Sequence, residues 1–318
     1  MKTQNDTTML KYTKKSNFII FKELVLKFLF LFINTKSFRF VLLNKKPQIF
    51  DSIPITGKQS NRLVLFSTFT TDGKIKESLV YYLSNLKKIK SDIILIDTSL
   101  KRIPSELEKI QPYLRHYIWR ENIGYDFGSW KIGISEIPDW KIYSQIILTN
   151  DSIYGPIHPL EPIFEKFNSS DIDIWGLTDS YELSYHLMSY FLVFQNKIIQ
   201  SKEFENFWET MVYFPTTWKK FLILAYEVGG YKYWKNFGFK TDAYIKFETL
   251  TQTIFKNHYN NPTHVFWDKI ISDLKFPFLK KDLTRKKLSP NELDEIRQVL
   301  VKTSPKVLEF VEKEKTII

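Results

Sequence analysis

"SQIILTNDSIYGP", Ser144–Pro156, is an apolar run that stops in Asn150, Asp151 and Ser152 ahead of a Gly-Pro turn. "RHYIWRENIGYDFGSWKIGI", Arg115–Ile134, has the same form, as do "RLVLFSTFT", Arg62–Thr70, and "DIILIDTS", Asp92–Ser99. Each is a short β-rich stretch that ends in polar residues. The segments between them change period. "KIKESLVYYLSNLKK", Lys74–Lys88, places apolar residues at helical spacing. "PSELEKIQPYL", Pro104–Leu114, predicts a short helix opened by Pro104 with Ser105 as cap. "GSWKIGISEI" predicts another, starting at Gly128. Strand alternating with helix predicts an α/β domain on a Rossmann-like, mostly parallel sheet with right-handed crossovers. In such sheets ligands bind outside the carboxyl ends of the strands. The polar residues lie there: Thr68 and Thr70, Asp97, Asn122 to Asp126, and Asn150 to Ser152. The pattern predicts a nucleotide or phosphorylated ligand.

The second half is less regular. "DIDIWGLTDS" and "SYFLVFQNKII" predict further strands, and "SKEFENFWETMVYF" and "TTWKKFLILAYEVGGYKYWKNFG" predict helices. A charged helical tail closes the chain. The organisation expected is a basic N-terminal segment over residues 1–60, an α/β domain over 61–285 and a C-terminal tail over 286–318.

Composition narrows the classes. With 43% apolar and 25% charged residues in 318, the chain can build a core. It has no cysteine, which excludes disulfides, thiolate metal sites and a thiol nucleophile. The formal charge is +11, and residues 1–46 hold ten Lys/Arg against two acids, an excess of eight. Inside that segment lies "FIIFKELVLKFLFLFINTKSFRFVLL", where Lys22, Glu23 and Lys27 interrupt the apolar run. The uninterrupted part falls short of the roughly 20 residues of a spanning helix. Apolar bulk mixed with lysine suits an amphipathic helix on an anionic membrane surface; packing on the protein's own body is the other reading. A near-neutral remainder without a nucleic-acid module argues against nucleic acid as a partner.

The stretches "ENIGYDFGSWKIGI", "TNDSIYGPIHPL", "IWGLTDS", "YHLMSYFLVF", "YEVGG" and "PFLKKDL", in this order over roughly residues 60–285, resemble the rhamnan synthesis protein F family. These are bacterial glycosyltransferase-like proteins of cell-wall and lipopolysaccharide assembly. The resemblance implies a GT-A-like nucleotide-diphosphosugar transferase, with dTDP-rhamnose the favoured donor. The implied acceptor is a lipid-linked oligosaccharide, which would put the enzyme in the cytoplasm, peripheral on the inner face of the cell membrane. A looser resemblance to family 2 glycosyltransferases implies roles for Asn122 and Gly124, for Asn150-Asp151-Ser152, and for Glu227 as general base.

Each candidate also has a plainer reading. Asp97 stands where the family recognises the base, or it caps its turn. Asn122 offers a hydrogen-bonding group, Gly124 allows close backbone approach, Asp126 could hold a ribose or sugar hydroxyl, and a helix beginning at Gly128 favours a diphosphate. Thr68 belongs with them by its place at a strand exit. Asn150, Asp151 and Ser152 occupy the position of an Asp-x-Asp metal motif with one carboxylate in place of two. Mg²⁺ or Mn²⁺ on Asp151 is one expectation and cation-independent transfer is the other. His186 could take part at the acceptor or diphosphate, or be a core histidine. Thr178 and Asp179 are placed beneath the acceptor, and Lys280 with Lys281 beside the diphosphate. Two alternatives to an enzyme stand: a non-catalytic glycan-assembly subunit, and a membrane-surface binding module.

Overall fold

The computed structural model describes residues 45–250, 261–285 and 289–315. The basic segment expected within residues 1–60 lies largely outside them. No helix among the described residues is long and apolar enough to cross a membrane.

The four stretches expected to be strands are strands: β2 (Arg62–Thr68), β3 (Ser91–Asp97), β4 (His116–Arg120) and β5 (Gln145–Asn150). An edge strand β1 (Ile49–Pro54) precedes them and pairs antiparallel with β4. A short β6 (Ile153–Tyr154) follows β5; then come β7 (Ile174–Ser180), β8 (His186–Leu187), β9 (Phe191–Gln195), β10 (Thr241–Ile245) and β11 (Leu279–Lys280). The main sheet runs β1-β4-β3-β2-β5-β9-β7-β10, with β8 on the end of β7. Strands β4, β3, β2 and β5 are mutually parallel. Strand β9 runs antiparallel to both β5 and β7, so β7 and β10 share the direction of the first four. The result is the mixed α/β, mostly parallel sheet that the alternating pattern predicts.

Helices cover both faces, as a parallel sheet requires. Helix α1 (Glu77–Lys88) lies on one, with Leu79, Tyr82, Leu83 and Leu86 turned into a core that includes Val64, Phe66, Ile93 and Leu95. Helix α2 (Tyr125–Glu136) lies on the other, where Phe127 and Trp130 meet Leu63, Leu65, Ile94 and Ile96. Gly133 of α2 packs against Leu65 and Ile96, and a Cβ there would approach Leu65 to 2.9 Å. The α2 face also takes α3 (Lys202–Thr210) and the long helix α4, residues 219–236, whose middle turn, Ile223–Val228, is π-helical. Helices α5 (Pro290–Thr303) and α6 (Pro305–Lys315) return to the α1 face, where Leu300, Val307, Phe310 and Val311 are buried in its core.

Three local expectations change. The short helix Pro104–Leu107 does open with proline, but its cap is Ile103 and Ser105 lies inside it. Helix α2 starts at Tyr125 rather than Gly128, because Gly124 at φ +82° turns the chain and its carbonyl takes the Gly128 N–H at 2.7 Å. Strands β1 and β10 have no counterpart in the sequence reading.

Candidate active site

Parallel strands run out from β2 in both directions, through β3 to β4 on one side and to β5 on the other. The order therefore reverses between β2 and β5, and the crevice of such a sheet opens outside the carboxyl ends at that point. Thr68 ends β2 and Asn150 ends β5, with Ser67 in register opposite Asn150. One hydrogen bond closes the floor of the crevice: Thr68 Oγ1 donates to Asp151 Oδ2 at 2.8 Å, and the Phe69 N–H reaches the same oxygen at 3.3 Å. Beside it, Asn150 Nδ2 donates to Asp126 Oδ2 at 2.8 Å, while Asn150 Oδ1 accepts from the Ser152 N–H at 3.1 Å and hydroxyl at 2.6 Å. Thr68, Asp126, Asn150, Asp151 and Ser152 thus form one network drawn from three strand exits.

Burial pushes the Asp126 carboxyl above its ordinary value, the Ser67 hydroxyl and Asn150 amide oppose this, and Asp151 adds to it. Gly124 turns the chain into this loop: a Cβ on it would meet Gly128 Cα and Tyr213 Cδ1 at 3.1 Å. Asn122 sits half-buried at the loop's start.

Beneath the loop lies Arg120, which sequence reasoning passed over. It is 0% exposed. Its guanidinium donates to the carbonyls of Glu121, Ile123 and Tyr125 at 2.7–2.9 Å and to Ser129 Oγ at 2.7 Å. Its bonded acceptors are all neutral, and burial drops its pKa to about 10 against the opposing pull of Tyr213, Asp126 and Glu121. Four bonds from one rigid fork fix the path of residues 121–126. The available signal was a lone arginine closing the apolar strand "HYIWR".

A two-stranded ribbon brings the cation. Strand β11 pairs antiparallel with β6, Lys280 opposite Ile153, and the Lys281 N–H donates to the Ser152 carbonyl at 2.9 Å. Lys280 Nζ is 3.4 Å from Ser152 Oγ and 3.8 Å from the centroid of the Tyr190 ring. Burial lowers its pKa to about 8, against the pull of Glu227, Asp282 and Asp126 and with help from Lys219. Lys219, at the start of α4, also faces Asp126 and was not foreseen. Lys281 is 4% exposed and 3.8 Å from Glu314 of α6.

Glu227 stands on the π-helical turn of α4. Such turns widen the backbone ladder and recur at functional sites. Its Oε1 accepts the Ser189 N–H at 2.7 Å, and its other oxygen has no protein donor among the described residues.

Four expected residues do not open onto this site. Asp97 is 4% exposed; its oxygens accept the Tyr117 hydroxyl at 2.7 Å and the Ser99 N–H at 2.8 Å, so it holds its own turn. Burial raises its pKa despite both bonds. Thr178 is buried and shares a 2.8 Å bond with the Tyr190 hydroxyl, one layer behind Lys280. Asp179 accepts the Phe247 N–H at 2.5 Å and is buried beneath it. His186 is buried in β8, and its Nδ1 donates to the Ser184 carbonyl at 2.8 Å. Each is buried and spends at least one hydrogen bond within the protein.

The expected divalent cation can be tested against this donor set. Mg²⁺ or Mn²⁺ favours oxygen ligands, carboxylates first. Asp151 Oδ2 already receives two donors, Asn150 Oδ1 receives two more, and the Lys280 ammonium lies against Ser152. No group of three acidic or histidine side chains converges among the described residues. The turn does not fit a cation cage.

A model of the family described as rhamnan synthesis protein F matches residues 93–314. Virulence protein VirA of Vibrio anguillarum is 26% identical over 194 residues, which is 53% of this chain and 62% of VirA. The uncharacterized protein y4gN of Sinorhizobium fredii is 26% identical over 137 residues, 42% of this chain and 36% of its own. The chain therefore spans less than two thirds of the length of these relatives. Among solved structures, the mannosyltransferase PcManGT from Pyrobaculum calidifontis in complex with GDP-Man and Mn²⁺ overlaps 92% of this chain and 84% of its own. Its TM-score is 0.32 and its identity 9%, too remote to carry an argument here.

Proposed function

This chain belongs to the rhamnan synthesis protein F family, and we propose on that footing that it is a GT-A-type glycosyltransferase of cell-surface polysaccharide synthesis. The donor proposed is a nucleotide-diphosphosugar, dTDP-rhamnose favoured, and the acceptor a lipid-linked oligosaccharide. On this reading the enzyme works at the cytoplasmic face of the membrane, held there by its basic N-terminal segment. The observation that carries the reading is the convergence at the strand-order reversal. The Thr68–Asp151 bond, the Asn150–Asp126 pair and Lys280 meet where a parallel sheet binds nucleotides.

The chemistry follows from the positions. The diphosphate lies along Asn150–Ser152, and the sugar extends towards Asp126 and Glu227. Glu227, with one oxygen held by Ser189, takes the proton of the acceptor hydroxyl on the other. The acceptor oxygen bonds to the anomeric carbon as the bond from that carbon to the phosphate oxygen breaks. The electron pair leaves with the nucleoside diphosphate. Holding both substrates in line supplies a further share of the rate.

The test is single-turnover transfer from radiolabelled dTDP-rhamnose to membrane-extracted acceptor, wild type against Glu227→Gln. Removing a general base costs about 10²–10⁴ in rate. Nucleotide binding should persist in the variant while transfer falls by that factor. Equal transfer by the two proteins would remove Glu227 from the role of base.

A further inference from the structure

We propose that Lys280 takes the place of a divalent cation in this site, so that donor diphosphate is held by a fixed ammonium and binding needs no metal. The proposal deepens the donor-site reading above and rests on it.

Three features of the structure support it. First, the ammonium is delivered to the turn by construction. The β6–β11 ribbon ties Lys280 opposite Ile153, and the Lys281 N–H locks the same turn through the Ser152 carbonyl. Nζ stands 3.4 Å from Ser152 Oγ, so the turn already carries a cation of the protein's own.

Second, the charge is in place without a direct ion pair, with Glu227, Asp282 and Asp126 acting on it only from a distance. Lys280 forms no ion pair among the described residues, whereas its neighbour Lys281 has Glu314 at 3.8 Å. The Lys280 ammonium is held over the Tyr190 ring, and Thr178 in turn holds the Tyr190 hydroxyl. A buried cation without a carboxylate partner is costly to keep, and an anionic ligand offsets that cost. Thr178 and Tyr190 thereby gain a role as supports of the lysine.

Third, the turn has little left to offer a metal: Asp151 Oδ2 receives Thr68 and Phe69 and Asn150 Oδ1 receives Ser152, which leaves Asp151 Oδ1 as its single carboxylate oxygen without a donor among the described residues. In the transfer step the ammonium keeps its proton. It donates a hydrogen bond to the diphosphate oxygen that receives the electron pair, the task a metal performs as a Lewis acid.

The experiment is calorimetric titration of the full-length chain with dTDP, UDP and GDP in turn, each in EDTA and again in excess Mn²⁺. Wild-type protein, Lys280→Met and Lys280→Arg are compared. Methionine keeps an unbranched apolar stem and arginine keeps the charge, and a cooperative melt confirms that each variant is folded. One nucleotide should bind wild type with similar Kd in both buffers. A hydrogen bond to a charged group corresponds to about 10- to 100-fold in affinity, so Lys280→Met should lose that factor in EDTA and Lys280→Arg most of it should retain. Binding that appears only with Mn²⁺ overturns the proposal and leaves the donor site standing. Wild-type affinity in Lys280→Met with EDTA overturns it too. Absence of binding to every nucleotide in both buffers sinks the donor-site reading itself, and this inference with it.

Discussion

Two strand exits are nearly the same in sequence, Leu-Ile-Asp-Thr-Ser after β3 and Leu-Thr-Asn-Asp-Ser after β5, and the fold treats them in opposite ways. At the first, Asp97 is closed off by Tyr117 from β4 and by its own turn. At the second, Asp151 is half-buried, braced from one side by Thr68, with Lys280 and Lys281 brought up behind it. Asp97 ends one parallel strand and Asp151 directly follows another, so strand position alone does not tell them apart. Their neighbours across the sheet can. The β3 exit lies between β2 and β4, inside the run of strands, while the β5 exit lies where the strand order reverses and the crevice opens. A carboxylate at the first place is spent on its own turn, and at the second it stands at the crevice.

The largest effect expected is on the loop that keeps the β5 exit supplied with Asp126. Arg120→Met removes the guanidinium from the carbonyls of Glu121, Ile123 and Tyr125; Glu121 keeps the Ile123 N–H at 2.9 Å and Tyr125 the Ser129 hydroxyl at 3.3 Å, so the buried Ile123 carbonyl is the one left short. An unsatisfied buried acceptor costs about 1–3 kcal/mol. That one acceptor, together with the guanidinium's other lost hydrogen bonds, should leave a net loss of about 3 kcal/mol in urea unfolding, and nucleotide affinity should fall with it as Asp126 loses its position. A variant as stable as wild type would mean that the loop holds itself, and the contrast between the exits would then rest on Asp151 and Lys280 alone.

The difference between the exits also predicts a pH dependence. Burial brings the Lys280 ammonium down to about 8 in the unliganded protein, with Glu227, Asp282 and Asp126 opposing and Lys219 assisting. An anion prefers the protonated form. Affinity should therefore hold below about pH 8 and fall as pH rises beyond it, by up to about tenfold per unit until the complex's own pKa is reached. Calorimetry of dTDP between pH 7 and 9.5 reads this directly. Lys280→Met should flatten most of the curve; Lys281, whose pKa burial also lowers, is held by Glu314 and supplies any slope that remains. A wild-type curve already flat would place the diphosphate elsewhere.

How much of this was legible in the sequence follows from the same physics. The central strands declare themselves because parallel strands are buried on both faces and read as unbroken apolar runs, as "RLVLF" and "DIILI" do. Edge strand β1, "IFDSIP", and end strand β10, "TDAYI", carry polar residues because one face or one edge is less covered, and they read as loop. The β5 exit, Asp126 and Lys280 were singled out because their residue types suit a ligand and no nearby sequence partner claims them, and the structure brings them together. Asp97, Asp179, Thr178 and His186 have the same types. The groups that occupy the first three come from Tyr117, Phe247 and Tyr190, on other elements, and His186 is tied to Ser184 in its own turn. Pairing across a sheet is invisible in a linear pattern. Arg120 escaped for the converse reason, since a residue that holds a loop from below through backbone carbonyls leaves no motif.

The smallest effect expected is at the closed exit, and it is the sharpest test of the comparison. Asp97→Asn keeps one acceptor oxygen of two, so one of the bonds from Tyr117 and Ser99 is lost, at about 1 kcal/mol. The change also removes an opposing cost. A carboxyl whose folded pKa is raised binds its proton more tightly in the folded state than in the unfolded one. Such a group lowers stability as pH climbs from the unfolded value to the folded one, and the cost persists above both. An amide carries no such cost, so at pH 7.5 the two terms oppose each other. Thermal melting should move by only a few degrees, and dTDP affinity should stay within about twofold of wild type. At pH 3, where the carboxyl is protonated in both states, the offset vanishes and the variant should be the less stable protein. A tenfold loss of nucleotide affinity at pH 7.5, with the melt unchanged, would show Asp97 turned to the base in the complex. The two exits would then differ only in the unliganded protein, and the Tyr117 bond would be a latch that the nucleotide opens.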